Sequence, residues 1–231
     1  MRPPPNGARA LIVLAATLLC GCKVGIDAHP LNPTQAAALQ TRDAPTARED
    51  VEGFTSILVR VPIAASPDHV WAQLGEHYGD VHQWSGPIEA SGFTEGHVVG
   101  AQGATRSCTL GPSSPIGKGE SFNETIVAWD PARHYYAAAV NDGFFPLRRV
   151  VQEYWVQPGP DGVGASVTTQ FHYDLAPLMG KGKGMRKKLK PQLVTSLLGL
   201  KHLIETGNGE EARDGDFLAG AYPSMFEVNG V

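Results

Sequence analysis

The chain has 231 residues, with 19 Lys and Arg against 23 Asp and Glu, a formal net charge of −4 when histidines are neutral. That sign argues against nucleic acid as a partner, which calls for a basic surface. The length leaves room for one domain with a sizeable core.

In chain order, residues 1–10 (MRPPPNGARA) carry Arg2 and Arg9 and no acid, and LIVLAATLLC follows. A basic start followed by an apolar run too short to span a bilayer reads as a secretory signal. The end of that run, LCGC at 19–22, resembles the bacterial lipobox, with Leu19 three positions before Cys22 and Gly21 directly before it. The resemblance implies a signal peptide over 1–21 and an acylated Cys22, carrying fatty chains such as palmitate that hold the protein to a membrane of the bacterial cell envelope. Lys23, where aspartate would suggest retention at the inner membrane, points to the periplasmic face of the outer membrane in a Gram-negative cell. An ordinary secretory signal is the alternative. Removal of 1–21 leaves 17 basic against 23 acidic side chains, a net −6. Cys20 is then lost and Cys22 modified, so Cys108 has no partner for an internal disulfide and is expected to be buried.

Residues 22–54 are rich in Ala, Pro, Thr and Asp with little periodicity and read as a flexible tether, with a short helix around QAAALQ. SILVRVPIAA (56–65) alternates and is β-branched, which predicts a strand. Ser66, Pro67 and Asp68 then open a helix whose apolar stripe is Val70, Trp71 and Leu74. A helical turn over GDVHQW ends near Trp84, and strand-like runs separated by turns such as WDPARH and GPDGVG occupy the chain to about residue 175. Leu189, Leu193, Leu197, Leu200 and Ile204, three or four apart, mark one face of a long final helix that Pro191 starts or bends. The expectation is a single α+β domain over 55–206, a curved antiparallel sheet of six to seven strands around the C-terminal helix. Residues 207–231 are expected to be a disordered tail.

The strings VPIAASPDHVWAQL, GATRSCTLG, GKGESFNETIVAWDPARHYYAAAV and SVTTQFHYDLAP, followed by the closing helix, resemble in order and spacing the START-like, Bet v 1-like (SRPBCC) superfamily. Within it the similarity is to the polyketide cyclase/dehydrase and lipid-transport group, over residues 55 to about 205. The resemblance implies a helix-grip fold enclosing a mostly apolar cavity for lipids, hormones or aromatic polyketides.

Strand geometry sets Arg106, Cys108 and Leu110 on one face, and Phe122, Glu124 and Ile126 on another. If those strands are neighbours, Arg106 and Glu124 lie across from each other. They then form a structural ion pair, lie on the solvent face, orient a polar ligand head, or supply a general base aided by Tyr136 or Tyr154. The ligand-binding candidates are Trp71, Trp84, Arg106, Cys108, Phe122, Glu124, Tyr136, Tyr154 and Phe171, with NDGFFPL as a mobile hairpin at the cavity mouth. His77 and His82, five apart, do not have the spacing of helical metal ligands, and no metal is expected. Walker, GxSxG, CxxC and dinucleotide signatures are lacking, so no cofactor is implied. The basic run KGKGMRKKLK, Lys181 to Lys190, suits a solvated helix start or anionic head groups. Three functions are open: a lipid-anchored binding or transport protein for a hydrophobic small molecule or lipid, a cyclase/dehydratase-like enzyme using Glu124 and Arg106, and a non-catalytic envelope interaction domain. The oligomeric state is not legible.

Overall fold

The computed structural model describes residues 31–96, 100–142, 146–177 and 182–228. Cys22 and the lipobox, Lys181, and the Gly143–Phe144–Phe145 centre of the expected hairpin lie outside the described residues.

Seven strands, β1 (Thr55–Ile63), β2 (Ile88–Phe93), β3 (Thr105–Leu110), β4 (Ser121–Asp130), β5 (Tyr135–Val140), β6 (Leu147–Pro158) and β7 (Ala165–Leu175), form one sheet. Its order is β1-β7-β6-β5-β4-β3-β2, and every pair is antiparallel. In β1 the alternation reads directly as faces: Ile57, Val59, Val61 and Ile63 are buried while Arg60 and Pro62 point outward. From β1 the chain crosses to the opposite edge through helix α2 (Pro67–Trp71), a π-turn over Ala72–Glu76 and a 3-10 stretch over Tyr78–Gln83. Ser66 caps α2 by accepting from the His69 N–H at 3.3 Å. Register shifts in β2, β4 and β6 each insert a residue that bends the strand and increases its twist. The bent sheet curls around the 24-residue helix α3 (Lys183–Thr206), which buries Leu189, Val194, Leu197, Leu198 and Leu200. The result is an α+β helix-grip fold. Pro191 neither starts nor ends α3: the helix runs through it, and the Lys187 carbonyl forgoes its usual partner.

Two segments differ from their sequence-level expectation. Residues 32–54, expected as a flexible tether, form a strap across the outer face of the sheet. Helix α1 (Pro33–Gln40) starts at a reciprocal capping box between Asn32 and Gln35, and Leu39 packs with Tyr135, Ala137, Val151 and Trp155. Beyond α1 the strap has no periodic side chains to announce it, because the sheet grips its carbonyls. Tyr135 Oη donates to Leu39 O (2.7 Å), Arg60 Nη2 to Pro45 O (2.7 Å) and Gln170 Nε2 to Glu49 O (2.6 Å). Beneath it, Glu153 is shared by Arg42 (3.2 Å), His172 Nε2 (2.7 Å) and the Tyr135 hydroxyl (2.9 Å), and His172 Nδ1 meets Ser56 Oγ at 2.8 Å. This covering explains why β5 and β7 are buried on both faces. Glu153→Leu strips two buried groups, Tyr135 and His172, and the partly buried Arg42 of a common partner, a loss of about 2–4 kcal/mol. Limited trypsin digestion is expected to cut at Arg42 and Arg48 at least tenfold faster in this variant. Unchanged cutting would mean that the apolar contacts of Leu39 hold the strap alone.

The second difference is at the C-terminus. Residues 207–228, expected to be disordered, form α4 (Gly209–Ala212), α5 (Gly215–Ala221) and α6 (Pro223–Val228). Gly207, with φ 76°, closes α3, and Asn208 and Asp214 cap the next two helices with their side-chain oxygens. Ala212 and Leu218 are fully buried, and His202 on α3 bridges Glu211 (2.9 Å) and the Tyr222 hydroxyl (3.0 Å).

Candidate functional site: an interior cavity

Between the concave face of the sheet and α3 lies a cavity of about 120 Å³. Its floor comes from the inward positions of β3, β4, β6 and β7, its roof from Leu189, Gln192, Leu193, Ser196 and Leu197 of α3, and one end from Trp84, Ser85, Pro87 and the Ser114–Ile116 loop.

The β3–β4 register sets Arg106 directly opposite Glu124 and Cys108 opposite Phe122, and all four line the cavity. Arg106 Nε and Nη2 both donate to Glu124 Oε2, at 2.8 and 2.5 Å, while Nη1 donates to the Tyr78 carbonyl at 2.7 Å. The guanidinium also lies 4.0 Å from the Tyr78 ring centroid. Both side chains are about 6% exposed, so the pair is desolvated and each charge depends on the other. Burial, the largest single influence, works to lower the Arg106 pKa, but Glu124 together with Tyr78, Cys108 and Tyr136 outweighs it and holds the group well above its usual value. Among the described lining residues these are the only two that carry charge at neutral pH.

The remaining polar groups are neutral. Gln152 Nε2 donates to Tyr154 Oη (2.6 Å) and Thr169 Oγ1 (3.1 Å), forming a short row on the floor. Burial pushes the Tyr154 phenol up, and it pushes the Cys108 thiol up to about 12. Cys108 is therefore a thiol at neutral pH and fills the wall rather than acting as a nucleophile. A proton taken up by Glu124 would break up its pair with Arg106, and Tyr154 with a raised pKa is a poor acid, so the cavity is better built to orient than to exchange protons. At the roof, Ser85 and Ser196 pair at 2.9 Å. At the end wall the buried Trp84 Nε1–H has no acceptor among the described residues.

Of the expected ligand-facing residues, Trp84, Arg106, Cys108, Phe122, Glu124, Tyr154 and Phe171 line the cavity. Trp71 and Tyr136 do not: Trp71 stacks against His134 (5.5 Å) and Trp129 (4.8 Å), and Tyr136 is enclosed by Tyr78 (5.5 Å) and Tyr154 (5.0 Å). They build the aromatic core behind the floor. Gln152, Gln192 and Ser196 were missed. Their signal was present: Gln152 alternates with Val150 and Tyr154, and Gln192 and Ser196 sit four apart beside the leucine stripe of α3. His77 pairs with Asp80 (3.4 Å) and His82 with Ser91 (2.9 Å), and the described residues contain no cluster of three potential metal ligands. In the basic run, Lys187 and Lys188 are exposed while Leu189 between them and Lys190 turns into the cavity roof.

Comparison with known proteins fits this architecture. The fold is shared with Ara h 8.0201, at 14% identity and a TM-score of 0.52 over 67% of this chain and 99% of that one. It is also shared with an uncharacterised protein from Bacillus thuringiensis, at 18% identity and a TM-score of 0.51 over 65% of this chain and 99% of that one. No match was found among curated protein sequences. Residues 55–205, the span from β1 to the end of α3, match the family described as "Polyketide cyclase / dehydrase and lipid transport". By its strands, its long helix and this match across most of the chain, the protein belongs to the polyketide cyclase/dehydrase and lipid-transport family.

Proposed function

We propose that this protein is a membrane-anchored binding or transport protein that holds a hydrophobic small molecule or part of a lipid between its sheet and α3. The observation that carries the reading is the cavity itself, with walls supplied largely by Leu, Val, Ile and Phe and its one charged pair mutually neutralised. Family membership supports a hydrophobic ligand. The lipobox-like LCGC at 19–22 supports anchoring and, with it, a position in the bacterial cell envelope. No helix among the described residues is long and apolar enough to cross a membrane. The exposed Lys187 and Lys188 suit contact with anionic head groups beside the cavity roof.

Native mass spectrometry of the full chain from its own host tests the binding reading. The expected result is a reproducible co-purifying apolar mass that is lost on solvent extraction and absent from Cys108→Phe, which fills the cavity. An empty wild-type protein after gentle handling overturns it. Anchoring is tested by labelled-palmitate incorporation, which is expected in the wild type and lost in Cys22→Ala.

A second reading, a cyclase/dehydratase-like enzyme, draws on the inward-facing Arg106–Glu124 pair. It requires turnover of a poly-β-keto substrate that Glu124→Gln abolishes.

A further inference from the structure

The charge, hydrogen-bonding capacity and size of the cavity narrow its ligand further, taking the binding reading above as the starting point. We infer that the cavity takes a small uncharged molecule, about one aromatic ring with a hydroxyl donor, and discriminates against carboxylates.

Charge comes first. Arg106 and Glu124 are the only charged groups among the described lining residues, and they face each other at 2.5 Å. A second carboxylate entering this space would sit within a few ångströms of Glu124 while finding its natural partner already engaged. Like charges at such a distance repel strongly in a desolvated site. A neutral molecule avoids this penalty.

Hydrogen bonding comes second. Both Arg106 bonds to the carboxylate end on Oε2, so neither occupies Oε1 of Glu124. A ligand hydroxyl can donate there. The cavity thus offers a strong acceptor on the floor.

Size comes third. A cavity of about 120 Å³ is close to the engineered apolar cavity of about 150 Å³ that binds benzene. One ring with short substituents fits between Phe122, Phe171, Val150 and Leu197, whereas a fused polycycle does not fit without displacing the walls. The chemical class is a neutral single-ring phenol.

The test is calorimetric titration of the solubilised full chain with three probes of nearly one shape: 4-hydroxyacetophenone, 4-hydroxybenzamide and 4-hydroxybenzoate. The two neutral probes are expected to bind at least tenfold more tightly than the carboxylate at neutral pH. In Glu124→Gln, where Arg106 is left uncompensated, the order is expected to reverse in favour of 4-hydroxybenzoate. The wild-type comparison of the isosteric amide and carboxylate decides the matter even where Glu124→Gln fails to fold. Equal or tighter wild-type binding of 4-hydroxybenzoate overturns the inference while leaving the cavity a binding site. Binding of none of the three also overturns it, and the binding reading falls with it only if the natively purified protein is empty as well.

Discussion

Gly199→Ala is expected to destabilise the protein by more than about 4 kcal/mol, enough to remove most of the stability of an ordinary domain. Gly199 lies in the middle of α3, where a glycine would normally be a weakness. Here a Cβ would stand 2.0 Å from the Trp84 carbonyl oxygen and 2.3 Å from that of Ala212. Both obstacles are backbone, so no side chain can swing away. The missing Cβ lets α3 lie directly on the chain that carries Trp84 and Ser85 into the cavity and on the end of α4. An added methyl must push the helix off both, opening the cavity end and loosening the C-terminal helices together. Urea denaturation and soluble yield measure the effect. Gly184→Ala is the control: in the same helix, with nothing within 4 Å of its Cβ, it is expected to be neutral or stabilising by a few tenths to about 1 kcal/mol. Equal stability of the two variants would show that the Gly199 contact relaxes at no cost.

The second large effect belongs to the charged pair. Glu124→Leu leaves Arg106 buried beside a cavity without its counter-charge, and a loss of about 3–5 kcal/mol is expected. Arg106→Met strands the carboxylate and is expected to cost a similar amount. The double variant removes both charges, replaces them with apolar side chains of comparable volume, and is expected to return to within about 1 kcal/mol of the wild type or above it. The urea midpoints of the four proteins give the coupling. A double variant as unstable as the sum of the singles would mean that the Arg106 bond to the Tyr78 carbonyl and its contact with the Tyr78 ring matter more than the pairing. Recovery of stability together with altered ligand preference would show that the pair is retained for selectivity rather than for folding.

The pair joins two parts of the molecule that are far apart in the chain. Through Tyr78 it ties the 3-10 stretch before β2 to the middle of the sheet, and Tyr78 in turn packs edge-on against Tyr136, whose ring contacts Tyr154 on the cavity floor. Trp71 continues the aromatic layer toward Trp129 and His134. These rings are the support on which the floor residues rest, which is why two of the nine expected ligand-facing side chains do not reach the cavity.

What the sequence by itself determined is what periodicity and local chemistry encode. Alternation in TRSCTL and SFNETIVAWD set Arg106, Cys108, Phe122 and Glu124 on particular strand faces, and the leucine spacing of α3 set its buried side. Ser66 and Pro67 announced α2 through the bonds that helix starts require. Tertiary structure decided the rest, because those outcomes depend on partners distant in the chain. The strap shows no periodicity since its backbone carbonyls, not its side chains, are held by Arg60, Tyr135 and Gln170 from three different strands. The C-terminal helices had legible caps in Asn208 and Asp214, but their docking rests on close approach at Gly199 and on His202 bridging Glu211 and Tyr222. Which aromatic rings border the cavity and which lie behind it was settled by the curl of the sheet, since a strand pattern gives the face of a residue and not its depth.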